Sequence, residues 1–368
     1  MSVPRSTLRQ FQRCRLIGSW APAPIWRRSY SSSNGALQGG FEAMKAEMLA
    51  RAPQLSWDVM SPTNSSLLNI ALADFIPEDC QARAYQSGVK TIEKVHSGRT
   101  LPQGHHLVYF PLQKTASALC PDGTDPFHHP GAPFERRMWA GGTIDFMDNF
   151  KLDSSPVVCW EKIEDVTVQG AKGEGKIFVS VLREYMKKRE FEITRKKGQP
   201  LINGIRERRN LVFMRGVSKE QARENLSKAL RGRSRIIKVP NSPDFSITLT
   251  PTPTLLFHYS ALTFNAHLIH LDPGFCREME GHPNLLVHGP LTLTLMLAVL
   301  NSRLKPDEKV RNINYRNVAP LYVNQPLRVC VRLISSGGDF AEGNPRRWEV
   351  WVEGQDGGLK VKGTAYTL

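Results

Sequence analysis

The sequence predicts an α+β fold built on antiparallel sheet, and three observations predict it. Apolar residues alternate with polar ones, or β-branched types dominate, over 157–169 and 176–183 and again in Trp348-Glu349-Val350-Trp351-Val352, the pattern of strands with one buried face. Helical spacing occurs apart from these strands, at 41–52 (FEAMKAEMLARA), 218–232 (SKEQARENLSKALRG) and 289–300 (GPLTLTLMLAVL). A chain of 368 residues exceeds what one hydrophobic core usually supports, so two domains are expected.

Taken in order, the helix at 41–52 precedes the folded body. Residues 101–135 are rich in Pro and Gly and form a long loop, of a length that is usually functional or disordered. The segment 218–232 opens on Ser and closes on Gly, the two ends of a capped helix, and PNSPDF then marks a joint near Pro240. Beyond it SITLTPTPTLLFHYSAL opens the second part of the chain, and VRLISS, RRWEVWVEG and LKVKGTAYTL are its closing strands. No internal repeat is visible in the sequence.

Hydrophobic residues make up 40% and charged residues 23%, which excludes a disordered class. The net charge of +15 is uneven. Six arginines and no acidic residue fall in the first 41 positions, alongside the Ser-rich string Arg27-Arg28-Ser29-Tyr30-Ser31-Ser32-Ser33, which reads as a mitochondrial presequence over 1–35. A secretory signal would need an unbroken apolar centre, and LIGSWAPAPIW is interrupted by two prolines. A second basic concentration lies at 171–240, with 20 Lys or Arg against 7 Asp or Glu. It reads as a surface that attracts phosphates, or as a solvated charged loop. Zinc-finger spacing and an aromatic-interleaved RNA signature are both missing, which argues against nucleic acid. The six scattered cysteines form no Cys-x-x-Cys pair, and no apolar run reaches the eighteen residues of a membrane helix.

Chemistry concentrates in Tyr259–Gly289, YSALTFNAHLIHLDPGFCREMEGHPNLLVHG. His267 and His270 follow Asn265 at spacings of two and five, and His288-Gly289 opens the apolar helix. The first N–H groups of a helix have no internal acceptor, so Gly289 offers a donor to a ligand resting there. Such a donor suits an enolate-like oxygen formed when a proton is removed next to a thioester carbonyl, an effect worth roughly 3 kcal/mol. A neutral imidazole such as His270 can carry that proton at neutral pH, and the Asn265 amide can hold a water or hydroxyl. His267 is a second base or a loop residue satisfying backbone groups. His288 is a capping or packing residue or a pocket-lining one, and Asp272 orients His270 or caps the helix suggested by PGFCREME.

These residues resemble the hydratase motif of MaoC-type enoyl-thioester hydratases of the hot-dog fold: an Asp, four residues, His-x-Asp, and a later His-Gly at the start of the central helix. Asn265 stands where the family's Asp falls, as in the subgroup with Asn-x-His-Arg-Ile-His, which includes fungal mitochondrial 3-hydroxyacyl-thioester dehydratases and mesaconyl-CoA hydratase-like proteins. Leu268 stands where that subgroup carries Arg. The run Arg136-Arg137-Met138-Trp139-Ala140-Gly141-Gly142, NYRNVAPLYVNQPLRVCVR and GGLKVKGTAYTL are similar to further blocks of the same proteins, so the resemblance spans about 55–368.

The resemblance implies a double hot-dog, each repeat an antiparallel sheet wrapped around a central helix. A non-catalytic repeat at 36–240, with the long loop and basic insertion, would precede a catalytic one at 241–368. It further implies His270, Asn265, Gly289 and His267 as catalytic residues, with His288, Asp272 and Pro290 at the substrate. The reaction would be reversible dehydration of a (3R)-hydroxyacyl thioester on acyl carrier protein or CoA, needing no metal or redox cofactor, in the mitochondrial matrix, by a monomer or homodimer. Hydration of short dicarboxyl-CoA esters, or a non-catalytic acyl- or RNA-binding scaffold, are the alternatives.

Overall fold

The computed structural model describes residues 36–81, 98–148, 150–170, 175–196, 198, 201, 203–232, 236–239, 241–334 and 345–368. The expected presequence at 1–35 lies outside them.

Ten strands form one antiparallel sheet. The first half of the chain supplies β1 (Gln54–Val59), β2 (Arg136–Phe146), β3 (Pro156–Gln169), β4 (Lys176–Lys187) and β5 (Ile205–Met214). The second supplies β6 (Phe245–Leu249), β7 (Val310–Asn317), β8 (Leu327–Ile334), β9 (Arg346–Glu353) and β10 (Leu359–Thr367). The order is β1-β3-β4-β5-β2-β7-β10-β9-β8-β6. Read outward from the β2–β7 junction, both halves show the same sequence of strands by chain position. This duplication of topology has no visible counterpart in the amino-acid sequence.

The junction explains the glycines of the Arg136–Gly142 run. A Cβ on Gly141 would sit 2.3 Å from the Tyr315 carbonyl oxygen, and one on Gly142 would sit 2.1 Å from that of Arg208. Gly141 also takes φ +143, and the register slips between Trp139 and Gly141, so this is a bulge where two backbones close on β2 from either side.

Helix α7 (Gly289–Ser302) is the core of the second half. Leu291, Leu293, Leu295, Met296, Leu297, Val299 and Leu300 are all buried, each contributing roughly 1.5–3 kcal/mol of burial. An apolar surface on all sides is what a helix wrapped by sheet requires. Its two buried threonines return their hydroxyls to the backbone, Thr292 to the His288 carbonyl (3.1 Å) and Thr294 to that of Pro290 (3.0 Å). In the first half, the described residues between α2 (Pro62–Leu72) and β2 hold only single turns. The most buried is His105–Val108, where His105 Nδ1 meets Ser65 Oγ at 2.7 Å. The predicted N-terminal helix is α1 (Ala36–Leu49), and α2 packs on α5 (Pro253–Thr263).

The basic segment 171–240 is not an insertion. It supplies β4, α3 (Lys188–Lys196), β5 and α4 (Lys219–Leu230), with Ser218 capping α4 as its sequence predicts. Five of its arginines are answered by carboxylates of β3, β4 and β5. Arg206 lies opposite Glu184 in register and bonds it at 2.9 Å, and Arg195 bonds the same carboxylate. Arg183 pairs with Glu161 (2.8 Å), Arg208 with Glu164 (2.8 Å) and Arg209 with the fully buried Glu207 (2.7 Å). Lys187, Lys188 and Arg189 stay exposed. No helix among the described residues is long and apolar enough to cross a membrane.

Candidate active site

Helix α5 starts as its sequence dictates, with Pro253 in the first turn and the Thr252 hydroxyl accepting from Leu255 N at 3.2 Å. It ends at Phe264, which takes the left-handed conformation (φ 51), uncommon for a non-glycine residue. That reversal returns the Asn265 N–H to the Ser260 carbonyl (2.9 Å) and starts the motif loop. Asn265 Oδ1 then accepts the backbone N–H of His267 (3.1 Å), which leaves the amide NH₂ as the group free for a ligand.

A single 3₁₀ turn, Leu268–His270, brings the two motif imidazoles edge to face, with centroids 5.5 Å apart at 82°. His270 Nδ1 lies 2.8 Å from the Leu286 carbonyl oxygen. A carbonyl only accepts, so the proton sits on Nδ1 and Nε2 carries the lone pair. The carbonyl is itself fixed, because Leu286 N donates to Ile269 O and Val287 N donates to Leu321 O, both at 2.9 Å. Two residues on, the His288 ring stacks on His270 at 3.7 Å and 21°, and its Nε2 meets Ser260 Oγ at 2.8 Å. Gly289 follows as the first residue of α7. A Cβ there would lie 3.2 Å from both Cβ and Cγ of Trp139 and 3.2 Å from Asn317 Nδ2, so the helix start is pressed onto the first half of the chain.

The first half also enters the site directly. Its loop at Cys120–Asp125 lies against the motif: Leu268 N donates to the Asp122 carbonyl (2.9 Å), and a Cβ on Gly123 would fall 2.0 Å from the Ala266 oxygen. Asp122 Oδ2 lies 3.5 Å from His267 Nε2, with both side chains largely buried. Arg137 of β2 is partly buried and acts electrostatically on His267 and His270. Among the described residues no carboxylate comes within ion-pair distance of it, although it feels the fields of Asp122 and Asp125.

Burial keeps these imidazoles neutral. It pushes His270 down to about 4, against the bond to Leu286 and with help from Arg137. It carries His267 well below the usual histidine range, helped by His270 and Arg137, and does the same to His288, helped by its two histidine neighbours. A buried neutral histidine with a fixed tautomer is a base, not an ion-pair partner. Cys276, whose thiol burial raises to about 12, donates to the Ile269 carbonyl and is structural.

The structure thus brings His270, His267, Asn265 and Gly289 together. It revises the expectations for His288 and Asp272. His288 has no accessible surface and supports His270 from beneath instead of lining a pocket. Asp272 caps α6 (Pro273–Phe275), its Oδ1 accepting from Gly274 N (2.7 Å) and Phe275 N (3.1 Å), and it does not bond His270. Pro290 lies in the first turn of α7 with its carbonyl taken by Thr294. Sequence reasoning missed Ser260, Asp122 and the Leu286 carbonyl. Asp122 sits in an Asp-Gly turn, a local signal that says nothing about its partner. A second histidine-carboxylate cluster, Asp125, His128 and Glu161, has each carboxylate already held by a cation, Lys114 (2.6 Å) and Arg183 (2.8 Å).

A doubled antiparallel sheet with a helix buried against it is the double hot-dog fold of the MaoC-like dehydratases. The fold is similar to a MaoC-like dehydratase from Phytophthora capsici (TM-score 0.56, 10% identity, 87% of this chain and 96% of that one). The chain belongs to the hydroxyacyl-thioester dehydratase type 2 family, whose model matches residues 104–323, more than half of its length. It is 27% identical over 240 residues to the mitochondrial hydroxyacyl-thioester dehydratase type 2 of Schizosaccharomyces pombe, covering 63% of this chain and 78% of the relative. It is 28% identical over 267 residues to a mesaconyl-C(4)-CoA hydratase of Chloroflexus aurantiacus, covering 72% and 82%.

Proposed function

We propose that the protein is a hydro-lyase that reversibly dehydrates (3R)-hydroxyacyl thioesters to trans-2-enoyl thioesters. The observation that carries this reading is the His270 tautomer. Nδ1–H is committed to Leu286, which leaves Nε2 as the basic nitrogen of a ring stacked on His288, the residue before α7. Nε2 takes the α-proton, and the electron pair moves onto the thioester oxygen, held by the Gly289 N–H, which was placed before the charge develops. The carbon–oxygen bond at the β-carbon then breaks. The imidazolium returns its proton to the departing hydroxyl, positioned by the Asn265 amide, so water leaves, the double bond forms and His270 is neutral again.

Relatives named as mitochondrial and the arginine-rich start of the sequence support a mitochondrial setting. There the substrate would be an acyl chain on acyl carrier protein, made and consumed in the matrix during fatty-acid synthesis. Arg137 favours one second reading, hydration of a short dicarboxyl-CoA ester, because a guanidinium without a protein carboxylate within ion-pair reach can take the distal carboxylate. Protein lacking residues 1–35 is assayed for hydration of crotonyl-CoA and mesaconyl-CoA. Crotonyl-CoA turnover that His270→Ala abolishes supports the main reading, and a preference for mesaconyl-CoA supports the second. Turnover unchanged in His270→Ala rejects both.

A further inference from the structure

The motif has an asparagine where a carboxylate would be expected, yet the site is not without one. We propose that Asp122, carried in by the loop of the first half, is the carboxylate of this active site and acts as a positioning residue through His267. The proposal rests on the dehydratase reading above and adds to it a group that lies 145 positions before the histidine it serves.

Three observations converge. Asp122 Oδ2 lies 3.5 Å from His267 Nε2, too long for a tight hydrogen bond at rest but at ion-pair distance, with side-chain exposures of 13% and 7%. The loop that carries it is docked on the motif and not merely near it, through Leu268 N to the Asp122 carbonyl and through Gly123, which has no room for a side chain against Ala266. The other carboxylate oxygen is spent on the loop itself, accepting from Thr124 N (3.0 Å) and Thr124 Oγ1 (2.7 Å), so Oδ2 is aimed by a fixed turn. Contacts of this kind lengthen in an empty site and tighten when substrate binds.

The consequence is chemical. A carboxylate at Nε2 fixes that nitrogen as the donor, orients the ring against His270, and stabilises a proton arriving on the imidazole pair when the α-proton is taken. Around the pair, Arg137 from β2 opposes that proton on either ring and His270 opposes it on His267, while His288 at the start of α7 is itself held neutral by burial and by both rings. Asp122 is the carboxylate within ion-pair distance of His267 among the described residues. A site with one guanidinium and three neighbouring imidazoles gains its counter-charge from the other half of the chain.

The test is the pH–rate profile of crotonyl-CoA hydration by the full mature chain carrying Asp122→Asn, which keeps the acceptor for Thr124 but loses the charge. The expected result is a fall in kcat of roughly 10²-fold with KM within about twofold, and an acid limb displaced by roughly one pH unit to lower pH, because the imidazole pair holds its proton less well. Asp122→Asn combined with His267→Asn should be no slower than His267→Asn alone. Thr124→Val, which removes the hydroxyl bond to Oδ1 but leaves the backbone N–H bond that holds the turn and leaves the carboxylate, should keep the wild-type limb. Asp122→Glu, which keeps the charge, is measured alongside in case the Asn variant does not fold, and should keep the limb within about a third of a unit. An unmoved limb in Asp122→Asn, a displaced one in Asp122→Glu, additive loss in the double variant, or a Thr124→Val profile matching Asp122→Asn would each overturn the proposal. If wild type is active and His270→Ala is not, such a result refutes the role of Asp122 alone; if wild type is inactive, the dehydratase reading fails first.

Discussion

Replacing Gly289 by alanine isolates what the start of α7 contributes, because the structure gives both sides of the balance. In favour of alanine is the lower entropy of the unfolded chain, worth about 0.4–1 kcal/mol where the backbone is compatible, and no left-handed angle marks this position. Against it are three contacts at 3.2 Å, to Trp139 Cβ, Trp139 Cγ and Asn317 Nδ2, each a few tenths of an ångström closer than ordinary packing. None can give easily. Trp139 is tied by Nε1 to Tyr315 Oη (2.9 Å), its carbonyl receives Asn317 Nδ2 (2.8 Å), and Arg209 covers its ring at 4.8 Å. Overpacking against so fixed a wall costs roughly 1–3 kcal/mol, so the net expectation is a loss of about 1–2 kcal/mol. Because the helix start must move to relieve the clash, the N–H shifts away from the position at which the proposed mechanism puts the thioester oxygen. Losing such a donor entirely costs roughly 10²–10³ in kcat, and a partial displacement should cost about tenfold. Urea denaturation reads the first number and crotonyl-CoA hydration the second. A Gly289→Ala protein as stable as wild type and equally fast would refute the view that the tight seat against Trp139 sets the donor's position.

Ser260→Ala strips the hydroxyl from His288 Nε2, in a ring whose Nδ1 has no partner among the described residues. It should cost about 1–3 kcal/mol in urea melts and lower kcat without changing the assay's KM. Acid should destabilise the protein well before its carboxylates titrate. Burial holds His270, His106 and His282 at about 4 and His105 at about 3, so below the free value near 6.5 the unfolded chain binds protons that the folded one refuses. Stability is then lost as pH falls from about 6.5 towards 4, by up to about 1.4 kcal/mol per pH unit per histidine, and urea midpoints at pH 7.5 and 5 measure it. Equal midpoints at the two pH values would contradict the burial argument.

Local signals in the sequence were accurate where the cause was local. Helix α7, the Ser218 cap of α4, the strands 157–169 and the closing strands all follow from periodicity and capping chemistry. The basic stretch misled because a run of charge does not show which of its arginines will lie opposite carboxylates once strands pair. Arg206 and Glu184 are 22 positions apart and neutralise one another only once β4 and β5 pair in register. The same reason hides Asp122 and Ser260. A turn aspartate and a helix serine carry no mark of the histidines they will meet, since those meetings depend on how loop, helix and sheet stack. That His267 and His270 meet was legible because their spacing within one loop is short enough to be read directly.

The seam between β2 and β7 carries one more implication. Because both strands belong to a single polypeptide, the two halves meet at the effective concentration set by their tether and not at that of the solution. A loop from one half can therefore furnish part of the chemistry of the other without any loss on dilution, and each half is free to drift in sequence as long as the partner it is permanently joined to drifts with it.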